Sequence, residues 1–263
     1  MCGIVGYTGF QDAYNIVING LKRLEYRGYD SAGIILENKD KDFEVKKTKG
    51  KVSDLVEISE QFKGTASVGM GHTRWATHGV PSDRNSHPHV SNNGKIAIIH
   101  NGIIENYDTI KTMLTEKGFS FASETDTEVL VNLIQYIMDT QNIDFPTAVR
   151  YALNEVYGAY AITVMHKDYP GLLVVGRLGS PLAIGVGDKE YFIASDASPF
   201  VEFTKEAIYL EDGHMASISL EKGIDIRAIV DNSVIVPEIQ ELKLSLEQIE
   251  KGGYEHFMLK EIF

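Results

Sequence analysis

Short strand-like runs recur along the whole chain, and they do not alternate one-for-one with helical patterns. This argues against a doubly wound parallel sheet, in which strands and helices alternate. The runs at 96–99 and 172–175 are apolar at successive positions, which is typical of strands buried on both faces. Sheets stacked on each other and covered by helices satisfy that pattern. The predicted strands lie at 3–7, 32–36, 43–48, 67–71, 95–101, 159–166, 172–175, 182–186, 191–194, 207–210, 215–219 and 224–229.

Helical spacing of apolar residues is confined to a few segments. Glycine is expected to end the first helix at Gly28 and the second at Gly118. Thr125 and Glu128 have the spacing of a capping box at the start of the third. The predicted helices lie at 11–26, 105–117, 125–139 and 145–156.

The composition excludes several classes of protein. The chain has 263 residues and a formal net charge of −12, and its basic residues form no stripe, so nucleic acid is not an expected partner. No run reaches the roughly 18 apolar residues of a membrane span, and no signal peptide is recognisable, so we expect no membrane association and a cytoplasmic location. The single cysteine excludes an internal disulfide and a thiolate metal cluster.

The character of the chain changes after Pro237. The following segment is rich in Glu, Lys and Gln and then becomes amphipathic. We therefore predict one domain over residues 1–237 and a linker, cut short, over 238–263.

Cys2 is the first candidate for chemistry. A lone cysteine in an opening strand is most often a small buried hydrophobic residue. However, removal of Met1 would give Cys2 a free α-amino group, whose pKa of about 7.7–8.0 lets it act as a general base for the thiol. A chain that retains Met1 would lack that base.

Asn101 and Gly102 follow an apolar run, and Asn-Gly between hydrophobic residues is a strong signal for a hairpin turn. We therefore expect a turn here. Such a turn would expose an Asn side-chain amide and a Gly N–H together, and this pair could stabilise an oxyanion.

A polar loop that includes Arg74 follows a predicted strand. Arg74 is either a solvated charge or a bidentate clamp for a carboxylate. The histidines around it suggest a metal site only weakly, because His87 and His89 lack nearby acidic or thiolate partners. We predict no metal site.

Acidic residues have structural as well as functional interpretations. Asp126 complements the N-terminus of a helix, but it could also pair with a substrate ammonium group. Arg27 and Asp30 are expected to form a local ion pair. Taken together, a thiol with its own base, two oxyanion donors, Arg74 for a carboxylate and Asp126 for an ammonium match free glutamine.

Several motifs, in one order along the chain, resemble the glutaminase half of the glucosamine-6-phosphate synthase (glutamine–fructose-6-phosphate aminotransferase, isomerising) family. The segment 254–263 resembles the start of that family's passage into its sugar-phosphate isomerase half. The motifs are MCGIVG at 1–6, YRGYDSAG at 26–33, GHTRWATHG at 71–79, HPH at 87–89, HNGIIEN at 100–106 and SETDTE at 123–128.

The resemblance implies a class II glutamine amidotransferase with an α+β fold, the four-layer αββα sandwich of N-terminal-nucleophile hydrolases, and no cofactor. It implies that L-glutamine is hydrolysed through a Cys2 thioester, and that the ammonia is used by an isomerase half of the same chain, in a full-length homodimer. The implied roles are the nucleophile at Cys2, the oxyanion donors Asn101 and Gly102, substrate contacts at Arg74, Thr77, His78 and Asp126, an ammonia gate at Trp75 and support of Cys2 by Arg27.

Other proteins could share parts of this pattern. Phosphoribosylpyrophosphate amidotransferase and asparagine synthetase share the MCG start, but the motifs at 26–33 and 71–79 favour the hexosamine enzyme. An acylase or peptidase with an N-terminal nucleophile would not need both Arg74 and Asp126. A non-catalytic amino-acid sensor would tolerate a retained Met1.

Overall fold

The computed structural model describes residues 2–242, and in that part the strands form two antiparallel sheets. In chain order the strands are β1 (Gly3–Thr8), β2 (Ser31–Asn38), β3 (Phe43–Lys49), β4 (Ala66–Arg74), β5 (His89–Val90), β6 (Ile96–Ile104), β7 (Gly158–His166), β8 (Leu173–Leu178), β9 (Ala183–Gly187), β10 (Glu190–Ala194), β11 (Glu206–Tyr209), β12 (His214–Ser219), β13 (Gly223–Ala228), β14 (Val234–Ile235) and β15 (Gln240–Glu241). The first sheet has the order β15-β11-β9-β10-β1-β4-β2-β3, and the second has the order β14-β13-β12-β8-β7-β6-β5.

Helices cover the outer faces of both sheets, and a side chain caps the start of the first, fourth and fifth of them. Asp12 caps the first helix by accepting a hydrogen bond from the N–H of Tyr14, and Thr125 caps the fourth by accepting from that of Glu128. Asn142 ends the fourth helix in the left-handed conformation. The helices are α1 (Ala13–Leu24), α2 (Val52–Ser59), α3 (Tyr107–Glu116), α4 (Asp126–Gln141) and α5 (Phe145–Glu155), with 3₁₀ turns at Glu25–Arg27 and Glu60–Phe62.

Three apolar clusters separate four layers. One cluster lies between the outer face of the first sheet and the layer formed by α1 and α2. Another lies between the outer face of the second sheet and the layer formed by α3, α4 and α5. The middle cluster, here called the inner layer, fills the space between the sheets. The predicted α+β architecture, a four-layer αββα sandwich, is therefore confirmed.

The inner layer explains the runs of successive apolar residues. On β6, Ile96 and Ile98 pack against the helices, whereas Ala97 and Ile99 belong to the inner layer. Side chains alternate between the faces of a strand, so a strand covered on both faces must be apolar at every position.

Two local predictions from the sequence are wrong. Asn101 and Gly102 do not form a hairpin turn, because β6 runs straight through them and stays paired with β7. The predicted set of helices also lacks α2, which is only two turns long, although Val52, Leu55 and Val56 have helical spacing.

Ordered pairing extends past the predicted domain boundary. Strand β15 pairs with β11, and the N–H of Leu242 donates to the carbonyl of Lys205 over 2.7 Å. The boundary at residue 237 thus stays a prediction, and residues 243–263 of the predicted linker lie outside the described part. Among the described residues, no helix has the length and apolar character needed to cross a membrane.

Candidate active site

Polar side chains replace apolar ones at one end of the inner layer. Because side chains two residues apart share a face, each of these polar residues continues the inner face of its strand. Along each of three strands, the last apolar residue of the inner layer is followed, two positions further toward this end, by a polar one. The pairs are Ile4 and Cys2 just before β1, Met70 and His72 on β4, and Ile99 and Asn101 on β6. Arg74 occupies the next position of the same face on β4.

Cys2 is held by backbone and side-chain contacts from three segments. Its Sγ accepts a hydrogen bond from the N–H of Trp75 over 3.2 Å. Its carbonyl oxygen accepts from Asn101 Nδ2 over 3.0 Å and from Arg27 Nε over 3.3 Å. Burial raises the pKa of the Cys2 thiol, so the thiol is protonated near neutral pH and needs a base before it can attack.

Arg74 is a buried cation, and within residues 2–242 its side chain donates hydrogen bonds to carbonyl groups of the following loop alone. Its Nη2 donates to the carbonyl oxygens of His78 and Gly79. Its Nη1 is buried and has no hydrogen-bond partner in the described part of the chain, where no carboxylate forms an ion pair with Arg74. A buried guanidinium group with a free donor is well suited to bind an anionic ligand group.

Asp126 is the complementary buried anion at the N-terminus of α4. Its Oδ2 accepts from the N–H of Ile104 over 2.8 Å, and its Oδ1 accepts from that of Thr127 over 3.0 Å. His100 Nδ1 lies 3.9 Å from Oδ2, but burial lowers the pKa of His100 and favours its neutral form. Between residues 2 and 242 no Lys or Arg forms an ion pair with Asp126.

Asn101 and Gly102 lie where β6 passes Cys2. Asn101 is buried, and its Nδ2 is the end of the amide that faces Cys2. Gly102 has φ +132°, and a Cβ built on it would lie 1.9 Å from the carbonyl oxygen of Ala159. Only glycine fits this position without displacing β7.

The loop after β4 carries the other predicted substrate contacts, Trp75, Thr77 and His78. Trp75 is about half exposed and makes an edge contact with Tyr29, with ring centroids 5.5 Å apart. Thr77 Oγ1 and His78 Nδ1 are 3.4 Å apart, and the His78 ring lies edge-on to Tyr107 at 5.2 Å.

Arg27 and Asp30 have separate partners and do not form the predicted local ion pair. Arg27 Nη1 forms an ion pair with Asp196 over 3.0 Å. The Asp30 carboxylate accepts a hydrogen bond from the N–H of Ala76 and thereby fixes the start of the loop. The function of Asp30 in holding this loop was missed in the sequence.

His72 is a second residue that sequence reasoning missed. Its side chain is fully buried and its Nε2 lies 2.9 Å from Asn101 Oδ1. The alternation of Val68, Met70 and His72 along β4 was the available signal, since it places a histidine on the inner face.

Comparisons with known proteins show the family of the chain. Residues 57–245 match the family described as "Glutamine amidotransferase domain". The chain belongs to this family. Two relatives align with the whole chain: the glutamine–fructose-6-phosphate aminotransferases (isomerizing) of Bacteroides thetaiotaomicron, with 53% identity, and of Pyrococcus horikoshii, with 46%. The chain spans only 43% and 44% of the lengths of these two relatives.

Solved structures extend the similarity to the fold. The glutamine phosphoribosylpyrophosphate amidotransferase of B. subtilis, complexed with ADP and GMP, superimposes with a TM-score of 0.74 and 28% sequence identity. The match covers 88% of this chain and 50% of the other. The amidotransferase domain therefore has the fold of N-terminal-nucleophile hydrolases, as its sequence indicated.

Proposed function

We propose that this amidotransferase domain hydrolyses L-glutamine to L-glutamate and ammonia, with Cys2 as the nucleophile after Met1 has been removed. The observation that carries the substrate assignment is the pair of buried, oppositely charged groups Arg74 and Asp126: within residues 2–242, Arg74 pairs with no carboxylate and Asp126 with no Lys or Arg. Burying either charge alone is unfavourable, and a ligand that brings both an α-carboxylate and an α-ammonium relieves both costs.

The reaction needs a proton acceptor, an oxyanion site and a proton donor. The free α-amine of Cys2 takes the thiol proton while Sγ attacks the amide carbon of glutamine. Asn101 Nδ2 and the Gly102 N–H stabilise the oxyanion of the tetrahedral intermediate. The protonated amine then gives its proton to the leaving nitrogen, ammonia departs and a Cys2 thioester remains. Water, deprotonated by the same amine, cleaves the thioester to release glutamate and restore the thiol.

The remaining site residues bind the substrate or organise the site. Thr77 and His78 belong to the loop whose carbonyl groups Arg74 holds and would contact the substrate from there, and Arg27 supports Cys2 through its carbonyl oxygen. The backbone N–H of Trp75 donates to Cys2 Sγ, while its indole ring is exposed. In this proposal the Trp75 ring gates the exit of ammonia.

The fate of the ammonia is proposed from the relatives. The chain spans less than half of the length of these aminotransferases. We therefore propose that a further sugar-phosphate isomerase half receives the ammonia and converts fructose 6-phosphate to glucosamine 6-phosphate. We further propose that the full-length protein is a homodimer in the cytoplasm.

Glutamine turnover tests the glutaminase activity directly. Intact mass and N-terminal sequencing first establish that Cys2 is the N-terminal residue, and glutamate release from glutamine is then measured. We expect turnover that Cys2→Ala abolishes, while this variant still binds glutamate. Asparagine should be a poor substrate, because its amide carbon does not reach Cys2 while both charged ends stay bound. Absence of turnover in the processed protein would rule the proposal out.

A further inference from the structure

The orientation of the Asn101 side-chain amide determines whether it can stabilise an oxyanion. Its Nδ2 end donates and its Oδ1 end accepts, so only one of two orientations related by a 180° rotation turns a donor toward Cys2. The 3.0 Å contact of Nδ2 with the Cys2 carbonyl oxygen is compatible with that orientation alone. No covalent bond fixes the orientation, so it depends on the partners at both ends of the amide: the Cys2 carbonyl oxygen at Nδ2, and a donor at Oδ1.

His72 is that partner. Its Nε2 lies 2.9 Å from Asn101 Oδ1 and 3.1 Å from the carbonyl oxygen of His100. A carbonyl oxygen only accepts, so Nε2 carries the proton and also donates to Oδ1. If the Asn101 amide were rotated, Nδ2 would face this N–H and two donors would meet. The reverse orientation is therefore unfavourable.

The environment of His72 preserves this one tautomer. Burial lowers the pKa of His72 to about 3, so its ring stays neutral wherever the protein is folded near neutral pH. The His87 ring stacks on it with centroids 4.1 Å apart. His87 is held in turn, because its Nδ1 accepts from the N–H of His100 over 3.2 Å.

We propose that His72 is a positioning residue of the amidase, which holds the Asn101 amide with its donor end toward the oxyanion through the Nε2–H···Oδ1 hydrogen bond between the two sheets. This inference rests on the proposed glutaminase function. It predicts that His72 affects the reaction only through Asn101 and contributes little to glutamine binding.

The first test compares His72→Phe with His72→Gln. Phenylalanine keeps a ring that can stack on His87 but has no N–H, whereas the Gln side chain can place an N–H near the position of Nε2. We expect His72→Phe to lower kcat for glutamine by about ten- to a hundredfold with KM changed less than about threefold, and His72→Gln to restore most of kcat. An unchanged kcat in His72→Phe, or a loss that appears mainly in KM, would overturn the proposal.

A double-mutant cycle separates positioning from a general structural effect. Asn101→Ala should lower kcat by about a hundred- to a thousandfold, and adding His72→Phe to it should cause no further loss. If the two losses multiply instead, His72 does not act through Asn101. His166→Phe, a change of the same type at another buried histidine on β7, is the matched control and should leave kcat within about twofold.

A spectroscopic measurement keeps the inference testable independently of turnover. In the ¹⁵N NMR spectrum of the histidine-labelled protein, His72 should show a neutral ring protonated at Nε2, and the Asn101 side-chain NH₂ signals should shift or broaden in His72→Phe. A ring protonated at Nδ1 would contradict the positioning function even in an active enzyme. The expected NMR result without any glutamine hydrolysis would contradict only the proposed reaction.

Discussion

At the scale of single residues, the site is defined by two buried charges that the described residues do not pair with an opposite charge. Arg74 donates to the carbonyl groups of its own loop, and Asp126 accepts from the N–H of Ile104 and from the N–H and hydroxyl of Thr127. Backbone dipoles compensate such charges only partly. A zwitterionic amino acid is therefore expected to bind with both of its charged groups desolvated.

The contribution of Arg74 can be measured with a pair of substrates. Arg74→Lys keeps the charge but loses the planar fork, so one ammonium must replace contacts to both the loop carbonyls and the ligand. We expect kcat/KM for glutamine to fall by about ten- to a hundredfold, or ~1.5–3 kcal/mol. With 4-aminobutanamide, which lacks the α-carboxylate, wild type and Arg74→Lys should be nearly equal. An equal loss for both substrates would show that Arg74 only supports the loop.

At the scale of elements, β6 joins several parts of the site within a few residues. Asn101 faces Cys2, Gly102 passes close to β7, and the N–H of Ile104 binds Asp126 at the start of α4. The positive φ of Gly102 allows these groups to lie on one uninterrupted strand. A change in the course of β6 would therefore disturb Asn101, Gly102 and Asp126 together.

Substitution of Gly102 tests this dependence. In Gly102→Ala the new Cβ would lie 1.9 Å from the carbonyl oxygen of Ala159, so the strand has to move. We expect a loss of about 3 kcal/mol in the free energy of unfolding and loss of most turnover. Gly94→Ala is the matched control, since Gly94 also has a positive φ, +72°, but open space around it. Its cost should be about 1 kcal/mol with turnover retained, and equal effects of the two variants in urea unfolding would contradict the steric argument.

At the scale of the whole molecule, a group of buried histidines connects the two sheets beneath the site. Burial lowers the pKa of His72, His87 and His89, and for the last two the lowering is large. His89 Nε2 lies 3.1 Å from Thr125 Oγ1 and so links β5 to the start of α4. The folded state of this region depends on keeping these rings uncharged.

The stability of the protein should therefore decrease in mild acid. In the unfolded state the histidines bind protons below about pH 6.5, whereas in the folded state they remain neutral until a much lower pH, about 3 for His72. The unfolded state then binds more protons, so the free energy of unfolding falls with decreasing pH, by up to ~1.4 kcal/mol per pH unit for each histidine.

Urea unfolding between pH 7.5 and pH 5 measures this effect. In His89→Gln, unfolding should take up about one proton fewer, so the slope of the unfolding free energy against pH should be smaller by up to ~1.4 kcal/mol per pH unit. A midpoint that is constant over this range would refute the assignment of neutral buried rings.

Most of the architecture could be predicted because it is encoded in local patterns. The apolar runs on β6 and β8 indicated strands covered on both faces, and helical spacing located four of the helices. The Asn101-Gly102 pair was misread as a turn, since its hairpin signal is local while its conformation is set by the approach of β7. The ion pair expected for Arg27 failed for a similar reason: its partner, Asp196, is distant in sequence.

The central position of β1 in its sheet has a consequence for biosynthesis. Cys2 is synthesised about 190 residues before Ala194, the last residue of β10, yet β1 lies between β4 and β10. At about 5–20 residues per second, roughly 10–40 s separate the synthesis of Cys2 from that of Ala194. A nascent chain thus carries Cys2 long before the folded domain exists, and the appearance of glutaminase activity during translation would report when the first sheet is completed.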